Sequence, residues 1–352
     1  MTESDDTTAG IDNLFIRVNG TGHAFGRELG CDCPRCRTIN FAMRRPTGRI
    51  ESFAGWDDPP WRANQSASVL VADEEGRAAR HILIDAGPGV GESMAASGIE
   101  RLDQIEAIFL THWHADHTHG LNQICESVRR RRRDSFAPIP LYCTEATYEK
   151  LVTSHRHIVE NRLDFRAVSP SQPLLLGDGS LRFRVTPIPV AHRDVAGSVI
   201  YVFEAVVAEQ VIQKAVFAWD IDTPEAVVPG MGEAITNIEM LRRHADLLQG
   251  ADLLMLEANT WQVDASRGRA TGHTSAVSSR SYIDLIAAHR VLFCHLSGHE
   301  DRNENREPLA GYGWTDGRWH EETERLARQW SEETGQMYHF EAALQGQIIP
   351  WR

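Results

Sequence analysis

Four side chains able to hold a divalent metal fall within six residues, in the run His112-Trp113-His114-Ala115-Asp116-His117. Imidazole and carboxylate together suit Zn, Mn or Fe, and a metal held this way can activate water for hydrolysis. The run follows directly on Ile105-Glu106-Ala107-Ile108-Phe109-Leu110, an apolar stretch with the composition of a buried strand. Ligands carried at a strand end are held more firmly than ligands on a free loop. A solvated His-rich turn is the plain alternative, but it leaves unexplained why a strand and a Thr stand immediately before the pattern.

A second cluster, Cys31-Asp32-Cys33-Pro34-Arg35-Cys36, gathers three of the six cysteines. The first residues, Met1-Thr2-Glu3-Ser4-Asp5-Asp6, do not combine a basic with an apolar segment, and no stretch has the length of a membrane span. A cytoplasmic protein is therefore expected. In that compartment three crowded cysteines point to a thiolate metal site rather than a disulfide framework, with a redox or Fe–S element as the alternative. Cys125, Cys143 and Cys294 sit among apolar neighbours and are expected to be inert core residues.

The elements that must position these groups can be read from periodicity. Strand-like runs lie at 13–18, 68–72, 81–85, 105–110, 181–185, 199–203, 213–219, 253–256 and 291–294, and stretches of helical period lie at 145–154, 234–248 and 275–288. This is an α/β or α+β plan of sheets covered by helices, and its alternation permits two similar halves. A helix is expected from Gly120 to Val128, with Arg129 to Arg133 as its solvated end or as an anion-steering patch. Gly87-Pro88-Gly89-Val90-Gly91 reads as the tight turn after a strand and lacks the Lys and Ser/Thr of a phosphate loop. The 352 residues, 42% hydrophobic, can bury a large core, and the formal charge of −13 opposes a long polyanion as partner. The expected partner is a small-molecule substrate, not nucleic acid or a membrane, and a homodimer stays open.

The motif Thr111-His112-Trp113-His114-Ala115-Asp116-His117-Thr118-His119-Gly120, with Leu83-Ile84-Asp85-Ala86-Gly87 before it, resembles the metallo-β-lactamase superfamily over residues from about 13 to about 300. The resemblance implies an αββα sandwich with a dinuclear metal centre at one edge of the two sheets. It places His192 beside His112 and His114 as ligands of one metal, and His295 with Asp116 and His117 as ligands of the other. Asp220 stands where the family has a bridging carboxylate. The family usually has a small residue before it, whereas here Trp219 precedes it, so Asp222 is the alternative bridge. His273, in Thr271-Gly272-His273-Thr274-Ser275, matches a proton donor or phosphate contact of the phosphodiesterase branches, against a purely structural helix-capping turn. Asp85 is expected to orient the ligand loop by accepting hydrogen bonds.

Cys31, Cys33 and Cys36 need a fourth ligand to complete tetrahedral zinc, and His299 can supply it. The combination resembles the phosphonate-pathway cyclic phosphodiesterases of the superfamily, although proteins of pyrroloquinoline quinone biosynthesis share the cysteine cluster. The cofactors implied are two divalent metals in the active site, Zn or Mn with Fe also open, and one structural Zn. The organisation expected is a tail over 1–12 and one domain over 13–352, with the zinc clip near 31–36 and insertions near 37–66 and 301–320. Trp56, Trp61, Tyr312, Trp314 and Trp319 in these insertions either wall the active site or pack on the protein's own surface.

The reaction implied is hydrolysis of a small or cyclic phosphodiester by a metal-bridging hydroxide, with His273 acting on the leaving oxygen and Asp116 helping to handle the proton. Three alternatives stand beside it. One is a lactone, thioester or lactam hydrolase, which needs no His273. Another is tRNA 3′-end processing, against which the acidic charge counts. The third is a non-hydrolytic iron-dependent or accessory role like that of the quinone-biosynthesis relatives.

Overall fold

The computed structural model describes residues 13–23, 63–96, 102–177, 179–231, 234–262, 272–297, 301–303, 305 and 307–351. The cysteine cluster at 31–36, His299, Trp56, Trp61 and the tail at 1–12 lie outside the described residues.

The strands follow in chain order: β1 (Leu14–Gly20), β2 (Ser66–Ala72), β3 (Ala78–Ile84), β4 (Ile105–Phe109), β5 (Ile139–Cys143), β6 (Leu163–Ala167) and β7 (Leu174–Leu176). They continue as β8 (Leu181–Pro189), β9 (Val199–Val207), β10 (Gln210–Ala218), β11 (Leu253–Glu257), β12 (Arg290–Cys294), β13 (Phe340–Ala342) and β14 (Ile348–Pro350). Among the described residues these form two sheets of seven, ordered β14-β1-β2-β3-β4-β5-β6 and β13-β12-β11-β10-β9-β8-β7. They share one plan: β3 to β6 run parallel in the first sheet and β10 to β13 in the second, and the remaining pairings are antiparallel.

The helices are α1 (Val90–Ala96), α2 (Ala115–Thr118), α3 (Leu121–Arg132), α4 (Glu145–Ser154), α5 (Arg156–Arg162), α6 (Asn237–Arg243), α7 (Ala245–Leu248), α8 (Arg280–Ile286) and α9 (Asp316–Thr334). Strand alternation decides the layers, because successive side chains point to opposite faces. Ala107 and Phe109 of β4 join Phe203, Phe217 and Met255 in the cluster between the sheets. Ile105 and Ile108 of the same strand join Leu121, Ile124, Leu151 and Ile158 under α3, α4 and α5. In β11, Leu253 and Met255 face the first sheet, while Leu254 and Leu256 pack with Met240, Tyr282, Ile283 and Trp319 from α6, α8 and α9. The molecule is thus an αββα sandwich of mixed α/β class. Fully burying each Leu, Ile or Phe of these layers stabilises it by roughly 1.5–3 kcal/mol.

Sequence and structure differ in places that have physical reasons. The expected helix from Gly120 runs on to Arg132, so four of the five arginines belong to its last turn, and Arg133 ends it with φ 47°. The helical stretch over 234–248 is broken at His244 into α6 and α7. The insertion expected over 301–320 is corrected at its end: Thr315 caps α9 by accepting from Arg318 N at 3.3 Å, so residues 316–320 are helical. Trp319 is fully buried, with Trp261 at 5.7 Å and Trp314 at 5.5 Å between ring centroids, and packs in the core of the second helical layer. Helix α9 stays amphipathic through Trp319, Thr323, Leu326, Ala327 and Trp330, and stops at Gly335 in the left-handed region, φ 73°. Among the described residues no helix is long and apolar enough to cross a membrane.

Two close approaches lock the strand ends beneath the motif. Ala86 N donates to His117 O and Gly120 N donates to Ala86 O, both at 2.7 Å. A Cβ at Gly87 would lie 1.8 Å from Asp116 O and one at Gly120 would lie 2.3 Å from Gly87 O, so both positions need glycine for want of space.

Candidate metal centre

Every candidate ligand leaves the end of a strand or the loop just beyond it. Asp85 follows β3, the motif 112–117 follows β4, His192 lies in the β8–β9 connection, Asp220 follows β10 and His295 follows β12. β3, β4, β10, β11 and β12 are all strands of the parallel pairings, so their C-terminal ends open on one edge, where the loops of such sheets are free to build a site. Asp85, Asp220 and His295 adopt φ of 56°, 55° and 57°, a left-handed backbone costly for non-glycine residues. Such residues collect where function requires a side chain to be aimed.

Three of the imidazoles, those of His112, His114 and His192, bring one nitrogen each to within 4.8 Å of one another. His192 Nε2 and His114 Nδ1 are 3.1 Å apart. Burial lowers the pKa of all three, with His192 at about 4 and His112 well below its ordinary value. Three neutral nitrogens facing one point make a trigonal set of lone pairs, the form in which imidazole binds a metal.

A second group lies beside the first. Asp116, His117 and His295 form one close set, and Asp220 joins both His112 with His117 and the group around His295. Asp220 Oδ2 is 2.8 Å from His117 Nε2 and 3.3 Å from His295 Nε2, while its Oδ1 is 3.4 Å from His192 Nε2. Asp116 Oδ2 is 3.4 Å from His117 Nε2 and 3.6 Å from His295 Nε2. Asp220 therefore faces both groups, one oxygen toward each. Asp222, the alternative bridge, instead accepts from Thr223 N at 2.7 Å and belongs to none of the ligand groups among the described residues.

The remaining ring nitrogens are anchored away from the centre. His117 Nδ1 contacts Asp85 Oδ2 at 2.8 Å, His192 Nδ1 contacts Gly272 O at 2.6 Å, and His112 Nδ1 contacts Thr111 Oγ1 at 3.1 Å. His295 Nδ1 contacts Glu257 Oε1 at 3.2 Å. In each case Nε2 is left for the centre. The buried atoms His112 Nε2, His117 Nε2, His295 Nε2 and Asp220 Oδ2 have no hydrogen bond there. Polar atoms are expensive to bury without hydrogen bonds, and these, divided between the two groups, are what cations there would satisfy.

The charges divide the site. Desolvation opposes ionisation of Asp116 and Asp220, but the surrounding histidines outweigh it and hold both carboxyls well below the usual range. Desolvation likewise opposes a charge on His117 and His295. Asp220, Asp116 and Asp85 nevertheless lift His117 well above 6.5, and Asp220, Asp116 and Glu257 lift His295 to about 10. Metal binding at this half would therefore displace protons.

Sequence reasoning missed three residues. Glu257, the last residue of β11, is fully buried, accepts from Ile221 N at 2.9 Å and pairs with His273 Nδ1. The same signal that marks the histidines, a polar residue ending an apolar strand, was present at Leu253 to Glu257. His23 packs edge-on against His273 and His295 at 5.2 and 5.0 Å, and nothing in its surroundings in the sequence announces this. Trp219 donates from Nε1 to Asp85 Oδ2 at 2.6 Å. Glu257 raises the pKa of His273 against desolvation, with Asp220 adding to the effect.

A family model for the beta-lactamase superfamily domain matches residues 80–296, well over half of the chain. The protein belongs to the metallo-β-lactamase superfamily. A superfamily relative, the ribonuclease Z of Bradyrhizobium sp. (strain ORS 278), is 25% identical over 263 residues, covering 62% of this chain and 81% of the relative. The crystal structure of a diphosphatase from the PhnP family superposes with a TM-score of 0.59 at 22% identity, covering 96% of each chain. Zn(2+)-bound PqqB from Methylobacterium extorquens superposes with a TM-score of 0.55 at 16% identity, over 95% of this chain and 99% of that one. At these identities the two structures bear on the fold of this metallo-β-lactamase superfamily protein, which they share over nearly its whole length.

Proposed function

We propose that this protein is a metal-dependent hydrolase of small or cyclic phosphodiesters. The observation that carries the reading is the convergence of His112, His114 and His192 on one side and Asp116, His117 and His295 on the other, with Asp220 between and four buried polar atoms unsatisfied. His112, His114 and His192 would hold one divalent metal, Asp116, His117 and His295 the second, and Asp220 would reach both. Such a pair supplies a Lewis acid for a phosphoryl oxygen and brings the pKa of water toward about 7.

The protein's own groups then handle the protons. Glu257 is committed to Nδ1 of His273 and raises its pKa, so an imidazolium at His273 would deliver its proton from Nε2. A proton donor of this kind helps most where an alkoxide leaves and least where a thiolate leaves, as from a thioester. Asp116, held ionised by His117 and His295, would serve as a ligand of the second metal and not as a base. Outside the described residues, Cys31, Cys33, Cys36 and His299 are proposed to hold a structural zinc.

RNA is the second reading. The acidic composition opposed nucleic acid as a partner, but the named relative is a ribonuclease Z, so that expectation no longer stands alone. The test is metal analysis of purified protein beside a panel of a cyclic phosphodiester, an aryl phosphodiester, a lactone, a thioester and a structured RNA. Preferred turnover of the small phosphodiesters supports the first reading. Preferred RNA cleavage with steep salt dependence supports the second, and ester turnover indifferent to His273→Ala excludes both.

A further inference from the structure

We propose that Trp219 is a positioning residue for metal binding, whose indole N–H fixes the Asp85 carboxylate so that His117 presents Nε2 to the second metal. The inference rests on the metal-dependent reading above and adds a residue to it.

Asp85 gathers four hydrogen bonds. Oδ1 accepts from Thr111 N at 2.9 Å, and Oδ2 faces Thr111 Oγ1 at 2.7 Å, His117 Nδ1 at 2.8 Å and Trp219 Nε1 at 2.6 Å. The tautomer of His117 follows from the donor inventory. An indole N–H and a backbone N–H can only donate, so they favour Asp85 as a carboxylate that only accepts. His117 Nδ1 must then carry the proton, which leaves Nε2 for a cation.

The same side chain joins the two halves of the centre. Asp85 follows β3 in the first sheet, whereas Trp219 follows β10 in the second and immediately precedes Asp220. Asp85 and Asp220 both turn through the left-handed region, at φ 56° and 55°. Trp219 is fully buried between the sheets, with Phe217 at 5.7 Å between ring centroids. The bond from Trp219 to Asp85 therefore ties the turn that aims Asp220 to the turn that aims His117. Phenylalanine would fill most of the same space without making that tie.

The experiment compares wild type with Trp219→Phe, each prepared metal-free and titrated calorimetrically with Zn and separately with Mn, with thermal unfolding of the metal-free proteins alongside. Beyond the equivalent taken by the proposed cysteine zinc site, the expected result is a metal-free Tm within a few degrees of wild type, an unchanged first equivalent at the sheet edge and a second weakened about 10- to 100-fold. Should Trp219→Phe not fold, β-(3-benzothienyl)alanine installed at position 219 removes only the N–H at nearly constant shape, and the same weakening is expected. Two equivalents bound as tightly as in wild type by the folded variant would overturn the role of Trp219 while leaving the hydrolase reading intact. Failure of wild type to take two equivalents would instead overturn the reading on which it rests.

Discussion

At the residue scale the site is organised by which nitrogen of each histidine is already engaged. His112, His117, His192 and His295 spend Nδ1 on Thr111, Asp85, Gly272 O and Glu257, so their Nε2 atoms are aimed without further constraint. Glu257 serves two of the site's histidines, His295 and His273, and its consequence for pH is specific. It raises the pKa of His273, so an acid at His273 remains protonated to higher pH than an ordinary imidazole. Glu257→Gln should lower phosphodiester kcat by about 10²–10⁴-fold. It should also move the alkaline limb of the kcat profile toward lower pH, because the variant loses the proton sooner. An alkaline limb left where it was would show that His273 is not the acid. The candidate ligands were legible in the sequence, those of the 112–117 motif from the apolar run before it and His192, Asp220 and His295 through the resemblance. Glu257 has the same signature, standing directly after the apolar run Leu253 to Leu256. His23 and the Trp219 bond could not be read, since they depend on which strand ends meet across the sandwich.

At the element scale most of the long apolar strands were legible, but β5 and β6, of five residues each, and the shortest strands were not. β7, β13 and β14 are three residues long each, and β14 pairs with β1 from the far end of the chain, a register no local pattern encodes. β8 carries Pro187 and Pro189 within a sheet because β7 pairs only as far as Val185, so neither proline amide is needed on that side. Helix α9 was not legible, since Trp319 reads as the end of an insertion, although Trp319, Thr323, Leu326 and Trp330 repeat with helical spacing.

β3 also carries a prediction of its own. His81 is buried with Nε2 2.7 Å from Ser68 Oγ, and burial, with Arg17 adding to it, pushes its pKa down to about 3. The fold holds this imidazole neutral, so the associated stability is complete above the unfolded value near 6.5 and is lost as pH falls from there toward 3. The slope is at most about 1.4 kcal/mol per pH unit. Urea unfolding at pH 6.5 and 4.5 should show metal-free wild type losing up to about 3 kcal/mol more than His81→Gln. Equal losses would mean that His81 is not held neutral.

At the scale of the whole molecule, two sheets of one plan face each other with the C-terminal ends of their parallel strands on a common edge. The first sheet supplies His112, His114, Asp116 and His117, and the second supplies His192, Asp220 and His295, so neither sheet can form the centre alone. The αββα architecture was legible from the alternation of strands and helices together with the resemblance. The pairing of edges that makes the site was implied by the resemblance and not by any pattern in the residues. The measurement that tests the account most directly is the metal content and phosphodiesterase rate of the full chain beside the pair variants His112→Ala/His114→Ala and Asp116→Ala/His117→Ala. The account predicts that each pair variant retains its fold, holds one divalent metal fewer than wild type and loses turnover. A wild-type chain that saturates with a single ion at this edge, or pair variants that keep both the metals and the rate, would contradict it.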